Sequence, residues 1–276
     1  MNPKLEEKIF KMFLWITASL TVFILIAIIG NILSHGLAFI DLDFLLQTPR
    51  NMGREGGILS SIIATFYLIV VSLTITTPIG IGSAIFLTEY KKRGRLLKLI
   101  RFTTESLAGI PSIIFGIFGF AFFVIFLGMG WSILSGGLTL ALMILPTMVR
   151  TAEEAINSVP DSYREGSLAL GATRWQTIVG VVIPSALPGI ITGIILSIGR
   201  AVGESAAVIL TAGSSLGIPR SLFGPGRSMA VHLYVLAAEG ISMEKAYATG
   251  TVLIIIIVFI NFLANYLTGR QRAKIS

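Results

Sequence analysis

The sequence predicts an all-α integral membrane protein with six transmembrane helices. Of its 276 residues, 54% are hydrophobic and only 13% are charged, whereas a soluble domain carries about 25% charged residues. Apolar runs long enough to cross a bilayer, which takes about 20 residues, recur along the whole chain. Lys and Arg residues gather at the ends of these runs, as they do in membrane proteins of fixed orientation.

The six predicted spans carry few charges and are separated by short polar segments. They cover residues 12–34, 58–88, 110–128, 132–149, 188–213 and 248–267. The first is longer than the apolar region of a signal peptide, so we expect it to remain uncleaved. The segment 214–247 begins rich in Gly, Pro and Ser and becomes helix-like from Met229, which indicates a loop with a short interfacial helix of unassigned role.

The basic residues predict the orientation of the chain. One side of the membrane receives 15 of the 21 Lys and Arg residues, the other receives five, and Arg200 alone lies within a span. Cytoplasmic loops carry the excess of basic residues, so both termini and the loops 89–107 and 150–186 are predicted to be cytoplasmic. The basic run 91–98 is interpreted as a topology anchor, with contact to anionic membrane lipid or to an ATPase as the alternative. This clustering argues against nucleic acid as a partner, despite the net charge of +7.

Two residue types limit the available chemistry. The chain has no Cys, which excludes disulfides and cysteine metal sites. Its two His residues, His35 and His232, lie far apart in sequence. We therefore predict no metal site.

The predicted fifth span contains two charged residues, Arg200 and Glu204. A charge near the centre of a bilayer costs about 2.5–3.5 kcal/mol on insertion scales, so such residues usually serve a purpose. Four residues apart, they would share one face of a helix. One interpretation is a structural ion pair or a contact between subunits. The other is an anion route in which Arg200 binds the anion and Glu204 moderates that attraction. Arg150, at the end of the fourth span, is either a snorkelling residue or part of the inner mouth of this route.

The loop between the fourth and fifth spans reads as a helical hairpin. Pro160 followed by Asp161 predicts a helix start, and Gly171 predicts its end. Thr173 is a plausible cap for a second helix that ends before Pro184. One interpretation of this hairpin is an amphipathic connector at the membrane surface, without a specific function.

The spacing within this hairpin resembles the cytoplasmic motif of ABC importer permeases, which reads E-A-A, three residues, G, nine residues, I-x-L-P. The matching residues here are Glu165, Gly166, Ser167, Gly171 and the segment 181–184 that ends in Pro184. The resemblance implies that the hairpin is a coupling element that docks into a groove on a cytoplasmic ATPase. The sequence has no G-x-x-x-x-G-K-[ST] phosphate loop. We therefore expect this chain to be no enzyme and to need no cofactor, with ATP and Mg bound by the partner ATPase.

Three further segments, 105–128, 143–156 and 199–213, are similar to phosphate-importer permeases of the PstA type. The resemblance implies a type I ABC importer permease fold in the prokaryotic plasma (inner) membrane. It also implies a subunit that imports inorganic phosphate and forms half of the pathway. The implied partners are a second homologous permease in a heterodimer, two copies of an ATPase and an external phosphate-binding protein.

The division of the chain follows from the same resemblance. We expect an N-terminal helix with an external loop over 1–57, a permease domain over 58–268 and a cytoplasmic tail over 269–276. The alternatives are a sister permease of the PstC type and a permease for sulfate or molybdate. Two alternatives belong to other classes of membrane protein: an ion-driven secondary transporter, and a membrane sensor or scaffold.

Overall fold

The structure, a computed structural model, describes residues 3–90 and 94–275 and is built from helices. They are α1 (Pro3–Gly36), α2 (Leu42–Leu46), α3 (Leu59–Ile85), α4 (Arg95–Ala108), α5 (Ser112–Gly119), α6 (Ile133–Asn157), α7 (Asp161–Ala169), α8 (Arg174–Thr177), α9 (Ile183–Val202), α10 (Ala206–Thr211), α11 (Met229–Ala238) and α12 (Met243–Ile275). The structure also has three π-helical segments. Phe86–Tyr90 continues α3, Phe120–Phe126 continues α5, and Ile178–Val182 joins α8 to α9.

The predicted all-α membrane architecture is confirmed. Within the described residues, five helices are long and apolar enough to cross a membrane. The sixth candidate is a broken pair, in which the chain bends by 100° between α4 and α5. The break lies at Pro111, because a proline disfavours helical backbone at the residue before it. The α5 segment with its π-helical continuation occupies the predicted third span.

The predicted fifth span is wrong at both ends. The continuous apolar helix runs over Arg174–Val202, so it begins well before Pro188 and ends well before Gly213. Membrane helices tolerate internal proline, because neighbouring groups satisfy the freed backbone. The helix ends at Val202, and residues 203–205 separate it from α10.

Small residues allow the three central helices α3, α6 and α9 to pack closely. Of the apolar window of α6, 67% is buried inside the chain, against none for α1. The hydrophobic effect does not drive helix association within lipid. Close packing and interhelical hydrogen bonds stabilise the association instead. The Thr76 hydroxyl of α3 donates to the Ala141 carbonyl of α6 over 3.2 Å. Gly193 of α9 lies directly against Thr151 of α6.

Two glycines of α5, Gly116 and Gly119, have a packing role. A side chain at Gly116 would meet the backbone of Ala207 in α10. One at Gly119 would overlap Thr139 of α6 and crowd Thr211 of α10. The two glycines therefore allow α5 to pack closely against α6 and α10.

Substitution of Gly119 by leucine is expected to destabilise the subunit, because the new side chain has no space beside α6. Overpacking of this kind costs about 1–3 kcal/mol. The measurement is the thermal unfolding midpoint of the purified protein in detergent. Gly82→Leu is the matched control, since nothing lies within 4 Å of a side chain at that position of α3. Equal midpoints for the two variants would contradict the packing role.

The α11 helix confirms the helical part predicted in segment 214–247, but it is not free on the surface. Six of its ten residues are buried, and the Met229 amide donates to the Thr65 hydroxyl of α3 over 2.9 Å. Burial lowers the pKa of His232 to about 4, with smaller contributions from Arg227 and Lys245. The imidazole is therefore neutral at pH 7.

Candidate anion pathway and coupling hairpin

Arg200 lies in the last turn of α9 and is only partly buried. Its Nη1 donates to the Thr147 hydroxyl of α6 over 3.4 Å. None of the ion pairs found within 3–90 and 94–275 includes Arg200. A guanidinium carries five N–H donors in a fixed fork. Most of these donors therefore remain available to a bound anion.

Glu204 does not share a helical face with Arg200, so that expectation is wrong. It lies in the break between α9 and α10, and its Oε1 accepts a hydrogen bond from the Ala207 amide over 3.1 Å. That amide is one of the first N–H groups of α10, which have no partner within the helix. A carboxylate near a helix N-terminus also complements the helix dipole. Glu204 thus satisfies the start of a new helix instead of pairing with Arg200.

Arg150 lies on the exposed side of α6 and pairs with Glu154 over 3.2 Å. About two thirds of each side chain is exposed, so this pair contributes little stability. Arg150 also lines a cavity of about 300 Å³ between α4 and α6. The cavity contains a second cation, Arg101, which pairs with Glu153. Both cations of this cavity are therefore balanced by acidic neighbours.

The structure brings Arg200 and Arg150 to one side of α6. Thr147, which contacts Arg200, precedes Arg150 by three residues and therefore shares its face of the helix. The separation along α6 is about one turn, or roughly 5 Å. Leu196 and Gly203, which flank Arg200 on α9, are exposed in the single chain. The two arginines thus border a surface that this chain leaves uncovered.

The predicted hairpin is present in the structure. The α7 helix ends before Gly171, whose φ of +86° is the left-handed conformation that glycine adopts readily. The α8 helix begins at a complete capping box, in which Thr173 and Gln176 each accept from the other's backbone amide. The α8 helix then passes through the π-helical segment into α9, so the prediction that the second helix ends before Pro184 is wrong. Pro184 lies in the first turn of α9, directly after the π-helical segment, so it is an internal proline of the continuous helix Arg174–Val202.

The motif residues of the hairpin divide into two groups. Glu165 and Gly166 lie on its exposed surface, next to a fully projecting tip where Leu170 is 91% exposed. The Ser167 hydroxyl instead turns inward and hydrogen-bonds the Thr177 hydroxyl over 2.9 Å, which joins α7 to α8. The hairpin therefore has a rigid interior and a free outer face.

Sequence reasoning missed the residues that connect the hairpin to the rest of the chain. Glu89, at the end of α3, is buried and pairs with Arg164 of α7 over 2.9 Å. Arg174 of α8 donates to the Glu89 carbonyl. An acidic residue at the end of an apolar run was the available signal, because an ionisable group at membrane depth usually has a partner. Both arginines had been counted only for their effect on orientation.

Comparison with known proteins places this geometry in a family. The description "Binding-protein-dependent transport system inner membrane component" matches residues 76–275. A probable ABC transporter permease protein, YqgI of Bacillus subtilis, is 35% identical over 97% of this chain and 96% of its own length. The phosphate transport system permease protein PstA of Pasteurella multocida is 32% identical over 95% of this chain and 94% of its own length. PstA 1 of Mycobacterium tuberculosis is 37% identical over 76% of this chain and 69% of its own length.

Solved structures share the fold at low sequence identity. The bacterial alginate ABC transporter, in complex with a pentasaccharide-bound periplasmic protein, has a TM-score of 0.69 at 18% identity. That match covers 97% of this chain and 96% of the other. The inward-facing MetNI methionine ABC transporter has a TM-score of 0.62 at 19% identity. That match covers 78% of this chain and 94% of the other. The predicted permease fold and the resemblance to PstA-type permeases are confirmed, and the chain belongs to the family of binding-protein-dependent transport system inner membrane components.

Proposed function

We propose that this chain is the transmembrane permease subunit of an ATP-driven importer of inorganic phosphate. The observation that carries the proposal is that Arg200 forms no ion pair among the described residues and lies on the uncovered side of a fold shared with PstA-type relatives. The fold alone does not select a substrate, since the solved structures named above belong to alginate and methionine transporters. The PstA relatives and the chemistry of Arg200 together favour phosphate.

The geometry of Arg200 suits weak, reversible binding of an oxyanion. A guanidinium binds two phosphate oxygens at once and stays charged at every physiological pH. The Thr147 hydroxyl, at 3.4 Å, orients the side chain without neutralising it. Arg150, one turn away on α6, would receive the anion next, and its acidic neighbour Glu154 would keep that contact weak. A transported ion must bind weakly enough to leave.

The proposed machine needs three kinds of partner. A second homologous permease would cover the surface that carries Arg200 and complete the pathway. Two ATPase copies would dock on the hairpins of the two permeases, and an external binding protein would deliver phosphate. The positive-inside bias supports an orientation with both termini and the hairpin in the cytoplasm.

Uptake of radiolabelled phosphate by the reconstituted complex tests this function. The complex contains both permeases, the ATPase and the binding protein, with ATP on the hairpin side of the proteoliposome. We expect uptake to require ATP and to persist in excess unlabelled sulfate, because the delivery protein and pathway are proposed to select phosphate. Equal competition by sulfate would indicate another oxyanion importer. Uptake that needs an ion gradient and no ATP would contradict the coupling.

A further inference from the structure

We propose that Glu89 is a positioning residue that fixes the coupling hairpin to the end of α3, so that the hairpin and α3 move as one body. This inference rests on the proposed function, because it concerns how motion of an ATPase would reach the pathway. It assigns a role to a buried acidic residue outside both the hairpin motif and the candidate pathway.

Arg164 makes the first connection. Its Nε and Nη2 both lie 2.9 Å from the Glu89 carboxylate. Its Nη1 donates to the Val159 carbonyl over 2.7 Å, and its Nη2 donates to the Ile156 carbonyl over 2.9 Å. One side chain of α7 therefore binds both the end of α3 and the end of α6. Only 14% of the Arg164 side chain and 7% of the Glu89 side chain are exposed.

Arg174 makes a second connection from the other helix of the hairpin. It donates to the Glu89 backbone carbonyl, and its guanidinium lies 5.2 Å from the centre of the Tyr90 ring. The last carbonyls of a helix have no partner within it, and a cation there also complements the helix dipole. Both helices of the hairpin thus converge on the last two residues of the helical segment that continues α3.

Burial makes this junction stiff. Two buried opposite charges attract strongly, and a charge left there without its partner is strongly unfavourable. Separating α7 from α3 would expose the Glu89–Arg164 pair or leave each charge alone. By contrast, Arg164 also pairs with Asp161, but 76% of that side chain is exposed and water can replace the contact.

The junction provides a direct route for motion from the hairpin to the pathway. The α3 helix packs along α6 and is hydrogen-bonded to it through Thr76 and the Ala141 carbonyl. The α6 helix carries Thr147, which contacts Arg200, and Arg150, which lies about one turn further along. If the hairpin and α3 form one rigid body, movement of the hairpin would therefore displace α6. Rigid-body displacements of packed helices are a common form of conformational switching.

The test measures distances and transport in the full complex. The chain has no Cys, so labels introduced into this subunit react only where they are placed. Spin labels at Ser162→Cys on α7 and Thr74→Cys on α3 occupy exposed positions that lie on the two sides of the junction. The distance between them is recorded in the resting complex and after a non-hydrolysable ATP analogue has trapped the ATPases.

Without further substitution, we expect this distance to stay the same in the two states, because the labelled elements move together. In Glu89→Gln, which keeps size and removes charge, we expect the distance to change or broaden on trapping. Uptake per ATP hydrolysed should fall about tenfold, within the usual range of coupling between sites. Arg164→Lys, which keeps the charge but loses the forked contacts, should behave in the same way.

Asp161→Asn is the matched control, since it makes the same chemical change in the exposed partner of Arg164. We expect its distance and its uptake per ATP to match those of the parent complex. An unchanged distance and an unchanged ratio in an assembled Glu89→Gln complex would overturn the proposal. The distance measurement needs no transported substrate, so failure of the phosphate assignment would leave it interpretable.

Discussion

Replacement of Arg200 by glutamine is expected to abolish phosphate uptake while the complex still assembles. Hydrogen bonds to charged groups contribute about 1.5–3 kcal/mol each. Loss of a two-bond contact therefore predicts a decrease of about 100-fold or more, since each 1.4 kcal/mol is a factor of ten. The measurement is ATP-dependent uptake of radiolabelled phosphate by proteoliposomes, with co-purification of all subunits as the test of assembly.

The structure explains why assembly should survive this change. Arg200 makes one long hydrogen bond to Thr147 and belongs to none of the ion pairs of the described residues. Its removal therefore leaves no buried carboxylate without a partner.

Three variants sharpen the result for Arg200. Arg150→Gln should have a smaller effect, because that cation is exposed and already balanced by Glu154. Arg220→Gln, in an exposed position of the loop before α11, is the matched control and should leave uptake unchanged. Arg200→Lys should retain part of the activity, since it keeps the charge and loses the forked geometry. Normal uptake in an assembled Arg200→Gln complex would contradict a pathway role.

Replacement of Gly166 by leucine is expected to prevent the ATPase from binding. Gly166 lies within α7, and no atom lies within 4 Å of a side chain built there. Within this chain the change is therefore tolerated, and leucine forms helix better than glycine by about 1 kcal/mol. Any loss must come from a surface that another protein covers. Co-purification of the ATPase should fall at least about tenfold, which corresponds to roughly 1.4 kcal/mol of lost binding.

Gly180→Leu controls for the general effect of an added apolar side chain. Gly180 lies in the π-helical segment after α8 and is also open, with no described neighbour within 4 Å of an added side chain. We expect this variant to retain ATPase binding and uptake. If Gly166→Leu bound the ATPase as well as Gly180→Leu does, the surface of α7 around Gly166 would not be the docking surface.

The coupling hairpin was predictable because its signals are local. Gly171 provides the left-handed conformation that ends α7, and Thr173 with Gln176 caps α8 within three residues. The approximate positions of most of the spans were predictable for a similar reason. The length of an apolar run reports bilayer thickness directly, whatever the run later packs against.

The relation between Arg200 and Glu204 could not be predicted from their spacing. A separation of four residues implies a shared face only while the helix continues. Whether it continues through Gly203 depends on tertiary packing, because α10 packs against α5 and α6 after the break and its Ala207 amide donates to the Glu204 carboxylate. The same break shortened the predicted fifth span.

Glu89 and Arg164 are separated by 75 positions, and no local pattern connects them. Their pairing arises because α3 and α6 end side by side, which places the start of the hairpin against the end of α3. Sequence alone was sufficient for the membrane class, the hairpin and its motif, since these depend on short-range geometry and on transfer of apolar groups to lipid. Tertiary structure decided which charges meet, because a buried charge selects its partner by proximity in the folded chain and not by distance along it.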